Sequence, residues 1–360
     1  MRPHTAYRFS AWVKTKELQP SGNFKLLALG GTGRTLSFEE GERKPTEEWK
    51  EVSIVFNSLD ETEINLYAGI WDGRSGTIWV DDLKLEQLGL TNILRRPGCP
   101  LTVTSADGTT VYTEGKDFEP VRDPKLGMTP WAGEYGFDHA GPDIRLTADS
   151  RIKDGDVLRV SWYHPVKTHS FQVMCCLSEP RVYELLTRQA ELIQKHLAPK
   201  TWFFSHDEIR VANWCKACQD TGKTPGALLA DNVTRCARIV RSINPKARLI
   251  VWSDMFDPHH NAVDRYYLVN GTLKGSWEGL PRDMGIANWN GHKTADSLKF
   301  FAERGHRQVI AGFYDGDTGD FRRRTASVAG LEGVNGFMYT TWQHDFSKLE
   351  TFGRLMRDGK

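Results

Sequence analysis

Residues 201–210 read TWFFSHDEIR. Four residues of strand type lead into a serine, a histidine, the adjacent carboxylates of Asp207 and Glu208 and, after Ile209, the guanidinium of Arg210. Like charges at the edge of a buried run are costly to desolvate and raise one another's pKa. That arrangement suits a group that must donate a proton near neutral pH. Successive strand side chains point to opposite faces, so the pair can serve one substrate only if the strand ends there and the backbone turns. Two carboxyl functions, or one carboxyl and a group on the substrate, cleave glycosidic bonds in clefts lined by aromatic residues. The plainer reading has Asp207 or Glu208 capping the next helix, or pairing with Arg210.

Similar chemistry recurs downstream in VWSDMFDPHHN, GSWEG, ANWN, AGFYDGD and YTTWQ. Trp252, Trp277, Trp289 and Trp342 are candidates for stacking on a sugar ring, and Tyr314 and Tyr339 for donating hydroxyls. Asp254, Glu278, Asp315 and Asn290, with His206 and Arg210 beside the carboxylates, are candidates for binding sugar hydroxyls. Twelve tryptophans are many for 360 residues. A flat apolar face with one edge donor suits carbohydrate, although each Trp is equally well explained as core packing. The acidic positions read equally as solvated loop charges.

The elements that must position these residues fall into three stretches. Residues 1–90 are all-β: AYRFSAWVKT, FKLLALG, WKEVSIVFN, EINLYAGIW and GTIWVDDLKLE are short strands between Gly, Asn and Asp turns, a spacing that predicts a sandwich. Residues 91–156 are rich in Gly, Pro and Asp and predict a β-rich connector. From 157 to 360 strands alternate with helices. VLRVSWYHP, TWFFSHDE, ARLIVWSDMF, MGIANWN, RQVIAGFYDGD and GVNGFMYTTW read as strands. PRVYELLTRQAELIQKHL, PGALLADNVTRCARIVRSI and SLKFFAERG read as helices by apolar spacing and by Pro at the start of the first two. Alternation implies parallel pairing, in an α/β barrel or a doubly wound sheet. Polar and aromatic residues close nearly every strand, which favours the barrel, because its C-terminal strand ends meet at one face. Six strands rather than eight are expected, with VLRVSWYHP as the third barrel strand and two βα units preceding Met1.

At this point the chain resembles two known families. SHDEIR resembles the Asp-Glu pair that ends the fourth barrel strand in the β-N-acetylhexosaminidase-like glycoside hydrolases of family 20. The resemblance implies a TIM-like barrel with Glu208 as general acid/base. It implies Asp207 as the residue that orients and polarises a 2-acetamido group acting as nucleophile. The fuller family motif has glycines before the pair where this chain has Ser205 and His206, a departure that bears on the substrate more than on the reaction class. YRFSAWVKT, the W-K-E-V stretch with Phe56, and GTIWVDDLKLE resemble a carbohydrate-binding module of jelly-roll type, shortened here to about 85 residues.

The expected function is therefore a glycoside hydrolase acting on an oligosaccharide or glycan. Two other readings stay open: a retaining glycosidase whose nucleophile is Asp315 or Glu278, and a glycan-binding protein without catalysis. A net charge of +1, from 47 basic and 46 acidic side chains, removes the electrostatic case for nucleic acid or an anionic membrane. No apolar run reaches the roughly 18 residues a membrane span needs. The N-terminus has no apolar signal region and opens in strand-like alternation, so a trimmed chain of extracellular or periplasmic origin is one expectation and the compartment is open. One CxxC, Cys215–Cys218, without a second spaced pair is a weak zinc signal, and no metal or cofactor is expected.

Overall fold

A computed structural model describes all residues except 22–23, 42, 126–137, 140, 170–171, 314–331, 343 and 359–360. The chain forms two compact units: Met1–Met174 with Cys215–Ala217, and Cys175–Trp214 with Cys218–Lys360.

The first unit is antiparallel. Strands β1 (Ala6–Gln19), β4 (Glu47–Asn57) and β6 (Ser75–Gln87) form one sheet in the order β4-β1-β6, and β2 (Phe24–Gly30), β3 (Thr35–Gly41) and β5 (Ile64–Ile70) form another in the order β3-β2-β5. Register follows the two-residue alternation of burial, with Phe9 opposite Ile54 and Tyr7 opposite Phe56. Phe9, Phe24, Leu26, Leu36, Ile54 and Phe56 are buried. A third sheet joins β7 (Thr102–Ser105), β8 (Val111–Tyr112) and β9 (Leu158–Ser161) in the order β8-β7-β9, over a small core of Ile93, Val103, Phe118, Val121 and Ile152.

This third sheet corrects one expectation. VLRVSWYHP is not a strand of the parallel sheet: its β9 pairs antiparallel with β7, Val103 opposite Val160, so the β-rich region continues past residue 156. Alternating apolar residues cannot reveal which partner a strand will choose, because that is decided by non-local pairing.

The second unit is α/β. Strands β10 (Thr201–Phe204), β12 (Arg248–Trp252), β14 (Gly285–Asn288), β15 (Gln308–Phe313) and β16 (Val334–Thr340) form one parallel sheet in sequential order. Among the described residues this sheet has five strands, not the six expected. Two short strands, β11 (Val211–Ala212) and β13 (Leu268–Val269), pair parallel beside it. Sequential parallel order requires a crossover between neighbours, and helices or turns supply each described one.

Helix α1 (Pro180–Leu197) begins with Pro180 after the Glu179 cap and ends where Ala198 turns left-handed at φ 43°. Helix α2 (Pro225–Ile243) starts behind a Thr224 cap, whose side chain accepts from the Ala227 amide at 3.2 Å, and buries a stripe including Leu228, Leu229, Val233, Ala237 and Val240. Helix α3 (Thr294–Glu303) follows β14, and helix α4 (Leu349–Asp358) follows β16. Among the described residues no helix is long and apolar enough to cross a membrane.

Candidate functional site

Strand β10 buries Trp202 and Phe204 and ends there. The next residues leave strand geometry abruptly: His206 and Glu208 both sit in the left-handed region, at φ 52° and 47°, with Asp207 between them. A non-glycine residue pays for that conformation with strain of order 1–3 kcal/mol, so the surroundings must hold it. They do so from four directions. His206 Nε2 meets Asn232 Oδ1 at 2.9 Å, the Glu208 amide donates to Asp254 Oδ2 at 2.9 Å, the Ile209 amide contacts Met255 Sδ at 3.3 Å, and the Leu268 amide donates to the Arg210 carbonyl at 2.8 Å. The turn that brings two adjacent carboxylates to one cavity is therefore built into the chain.

The C-terminal ends of the parallel strands border a cavity of about 500 Å³. Asp207 and Glu208 line it from the end of β10, Trp252 from β12, Trp289, Gly291 and His292 from beyond β14, Ala311 and Gly312 from β15, and Thr340 and Trp342 from the end of β16. His260, from the loop after β12, completes the lining. Its ring stands edge-on to Trp289 with centroids 4.5 Å apart. Burial lowers the pKa of His260, against the charges of Asp257 and Glu208, so the imidazole is biased to its neutral form. Trp342 is 72% exposed.

Beneath the cavity, Asp254 ties three strand ends together. Its Oδ2 accepts from the Glu208 amide and from Asn261 Nδ2, both at 2.9 Å, and its Oδ1 accepts from Trp289 Nε1 at 3.1 Å. Complete burial pushes the Asp254 carboxyl up to about 6, despite those three donors. Asp254 is thus a scaffold beneath the site, and Trp289 is oriented by it.

Of the other residues singled out by sequence, several hold structure. Glu208 Oε2 meets Arg210 Nη2 at 2.7 Å, and the Arg210 guanidinium lies over the Tyr267 ring at 5.3 Å, buried. Arg210 therefore supports Glu208 and does not line the cavity. His206 packs between Phe204 and Phe256 and is absent from the lining, because its Nε2 turns away to Asn232. Asn290 is buried, donating to Asp257 Oδ2 at 3.2 Å and accepting from the Lys293 amide at 2.9 Å at the entry to α3. Trp277 packs edge-on against Phe300 at 5.4 Å, and its exposed neighbour Glu278 lies with it on a short 3₁₀ turn, Ser276–Gly279; neither lines the cavity. The Tyr339 hydroxyl donates to the Asp345 carbonyl at 2.9 Å. Tyr314 and Asp315 lie outside the described residues.

His260 and His292 were not singled out by the sequence, where the His259-His260 pair of DPHHN reads as a subsite wall or as plain surface. A polar pair closely following a strand end was the available signal. Elsewhere in this unit the Cys176 and Cys218 sulfurs are 3.5 Å apart, and burial raises the Cys236 thiol to about 11, which keeps it protonated and unreactive. Compared with known proteins, the chain matches no protein-family model and no curated protein.

Proposed function

We propose that this protein hydrolyses a glycosidic bond in the cavity at the ends of β10, β12, β14, β15 and β16. The observation that carries the reading is the joint presence of the adjacent carboxylates of Asp207 and Glu208 and three tryptophans, Trp252, Trp289 and Trp342, around one cavity. Aromatic faces stack on the apolar faces of a sugar ring, while carboxylates accept from its hydroxyls or give a proton to the leaving oxygen. In this reading Glu208 is the general acid/base and Asp207 orients a substituent on C2 of the sugar, following the resemblance of SHDEIR to the β-N-acetylhexosaminidase-like enzymes. The parallel sheet and its helices are read as part of a (β/α) barrel, whose active sites gather at the C-terminal strand ends. The antiparallel sheets of residues 1–90 are read as a carbohydrate-binding module.

Glu208 Oε2 is held by Arg210, which leaves Oε1 as the oxygen for the substrate in this mechanism. Protonation of the glycosidic oxygen by Glu208 would release the aglycone, while Asp207 accepts from the 2-acetamido N–H as that group attacks the anomeric carbon. Water then opens the resulting ring, with Glu208 taking its proton.

One observation favours a second reading. A carboxylate already engaged by a buried guanidinium also suits a residue that only accepts hydrogen bonds from sugar hydroxyls, as on the wall of a glycan-binding protein. A panel of aryl glycosides with and without a 2-acetamido group separates the two. Selective release of the aryl group from 2-acetamido substrates supports hydrolysis with substrate participation; binding of glycans without release on any substrate supports the binding protein. Activity confined to sugars lacking the 2-acetamido group would transfer the nucleophile role to another carboxylate.

A further inference from the structure

Helix α2 buries an apolar stripe, and Asn232 stands inside it, only 5% exposed, among Leu228, Leu229 and Val233. A primary amide at an apolar position is retained when its hydrogen bonds are satisfied there. Here the bonds form a chain whose directions follow from its last member. The Tyr183 hydroxyl of α1 donates to the Leu177 carbonyl at 2.5 Å, and a carbonyl can only accept. The Tyr183 oxygen in turn accepts from Asn232 Nδ2 at 2.9 Å, so the amide must present its oxygen at the other end. That oxygen, Oδ1, faces His206 Nε2 at 2.9 Å, and the imidazole must donate. His206 is thereby fixed as the Nε2–H tautomer. Burial lowers the His206 pKa, in keeping with a neutral ring whose Nδ1 bears the lone pair.

We propose that Asn232, oriented by Tyr183, is a positioning residue of the candidate site: by holding His206 as its Nε2–H tautomer it locks the turn, left-handed at His206 and Glu208, that brings the two carboxylates to the cavity. The consequence for activity rests on the reading of Asp207 and Glu208 as the groups that act on substrate; the tautomer and the turn do not. The geometry explains why the amide lies 26 residues from the histidine it serves. Left-handed backbone at residues 206 and 208 persists only if side chains over-determine it, and the His206 ring anchors the turn on helix α2. It also makes Tyr183 a determinant of polarity. Without its hydroxyl the amide is free to rotate and offer Nδ2 to the imidazole, which would shift the ring proton to Nδ1.

The test is nitrogen-resolved NMR of the histidine rings and amide NMR of residues 206–208, alongside steady-state kinetics on an aryl 2-acetamido glycoside. The wild-type protein is expected to show His206 as Nε2–H. Tyr183→Phe, which removes a single oxygen, is expected to give a mixture of tautomers and to move the Asp207 and Glu208 amides. Asn232→Ala is expected to move them further and to lower kcat by about 10²-fold, the scale of a misplaced reacting group, with KM changed less than about threefold. A wild-type Nδ1–H tautomer overturns the proposal. So do Asp207 and Glu208 amide shifts that stay in place in both variants, and Tyr183→Phe keeps this decisive if Asn232→Ala does not fold. A chain that hydrolyses nothing while the tautomer and amides respond as expected upholds the positioning role and removes only the catalytic reading of the carboxylates.

Discussion

The buried guanidinium of Arg210 grips the carboxylate of Glu208 at 2.7 Å, two residues back along the same loop, while 35% of the Glu208 side chain stays exposed. One residue thus belongs at once to a structural ion pair and to the wall of a cavity. Removing its charge has two separable effects. Glu208→Gln is expected to lose roughly 10²-fold or more in kcat on a glycoside with a poor leaving group, and less on an activated aryl glycoside. It also removes the charge that Glu208 sets against the buried Arg210 guanidinium, with an expected stability loss of about 1–3 kcal/mol, moderated by solvent at the exposed partner. Denaturant unfolding measures the second effect; equal kinetic losses on both substrates would assign Glu208 to structure alone.

Asp207 lines the same cavity, and its Oδ1 accepts from the Ser205 hydroxyl at 2.6 Å. If its partner on the substrate is an N–H on C2, Asp207→Asn should lose most on 2-acetamido sugars. The expected outcome is a drop in kcat/KM at least tenfold larger on those substrates than on their 2-hydroxy counterparts, a difference of about 1.4 kcal/mol in transition-state stabilisation. Equal losses on both would place Asp207 outside substrate recognition.

Trp342 and Trp202 make a paired control. Trp342, 72% exposed at the cavity, should on change to Ala lose less stability than a buried tryptophan while weakening glycan binding or raising KM. Trp202, buried in β10, should instead cost about 3–5 kcal/mol on the same change. Glycan binding unaffected by Trp342→Ala would remove that ring from the site.

Asp254 contributes a pH dependence of definite sign. Burial raises its folded carboxyl to about 6 from a reference of 3.8. A raised folded value means that the folded protein holds its proton more tightly than the unfolded chain. The resulting stabilisation is complete below the reference value and is lost as pH rises through about 6. Comparing unfolding free energies of the wild-type protein and Asp254→Asn between pH 4 and 7 isolates the group: the advantage of the wild type should shrink as pH rises. A difference that does not vary with pH would contradict the shift.

The Cys176 and Cys218 sulfurs, 3.5 Å apart, should react with each other more readily than with other thiols. Oxidised glutathione is expected to join them, with two molecules of glutathione released and the protein lighter by two hydrogens; peptide mapping identifies the bridge. A mixed disulfide at Cys236 instead would be unexpected, since burial keeps that thiol protonated at about 11.

Local chemistry alone determined much of this molecule. Apolar periodicity and terminal Pro residues placed α1 and α2 at 180–197 and 225–243, and alternation with turn residues placed β1, β2, β4, β5 and β6 but not β3, because those signals are set by neighbours a few residues apart. The carboxylate pair at the end of β10 and the tryptophans at the ends of β12, β14 and β16 were legible for the same reason. What required the tertiary structure was every choice between partners. Leu158–Ser161 has the pattern of either a parallel or an antiparallel strand, and only its pairing with β7 decided the matter. Asp254, Asn290 and Tyr339 have the composition of sugar ligands, yet Asp254 and Asn290 spend their polar atoms on buried scaffolding and the Tyr339 hydroxyl donates to the Asp345 carbonyl. Asn232 reads as a flaw in an apolar stripe until the fold brings His206 and Tyr183 to its two ends. A side chain's hydrogen bonds are claimed by whichever groups the fold brings within about 3 Å, and that distance is a property of chain segments far apart in sequence.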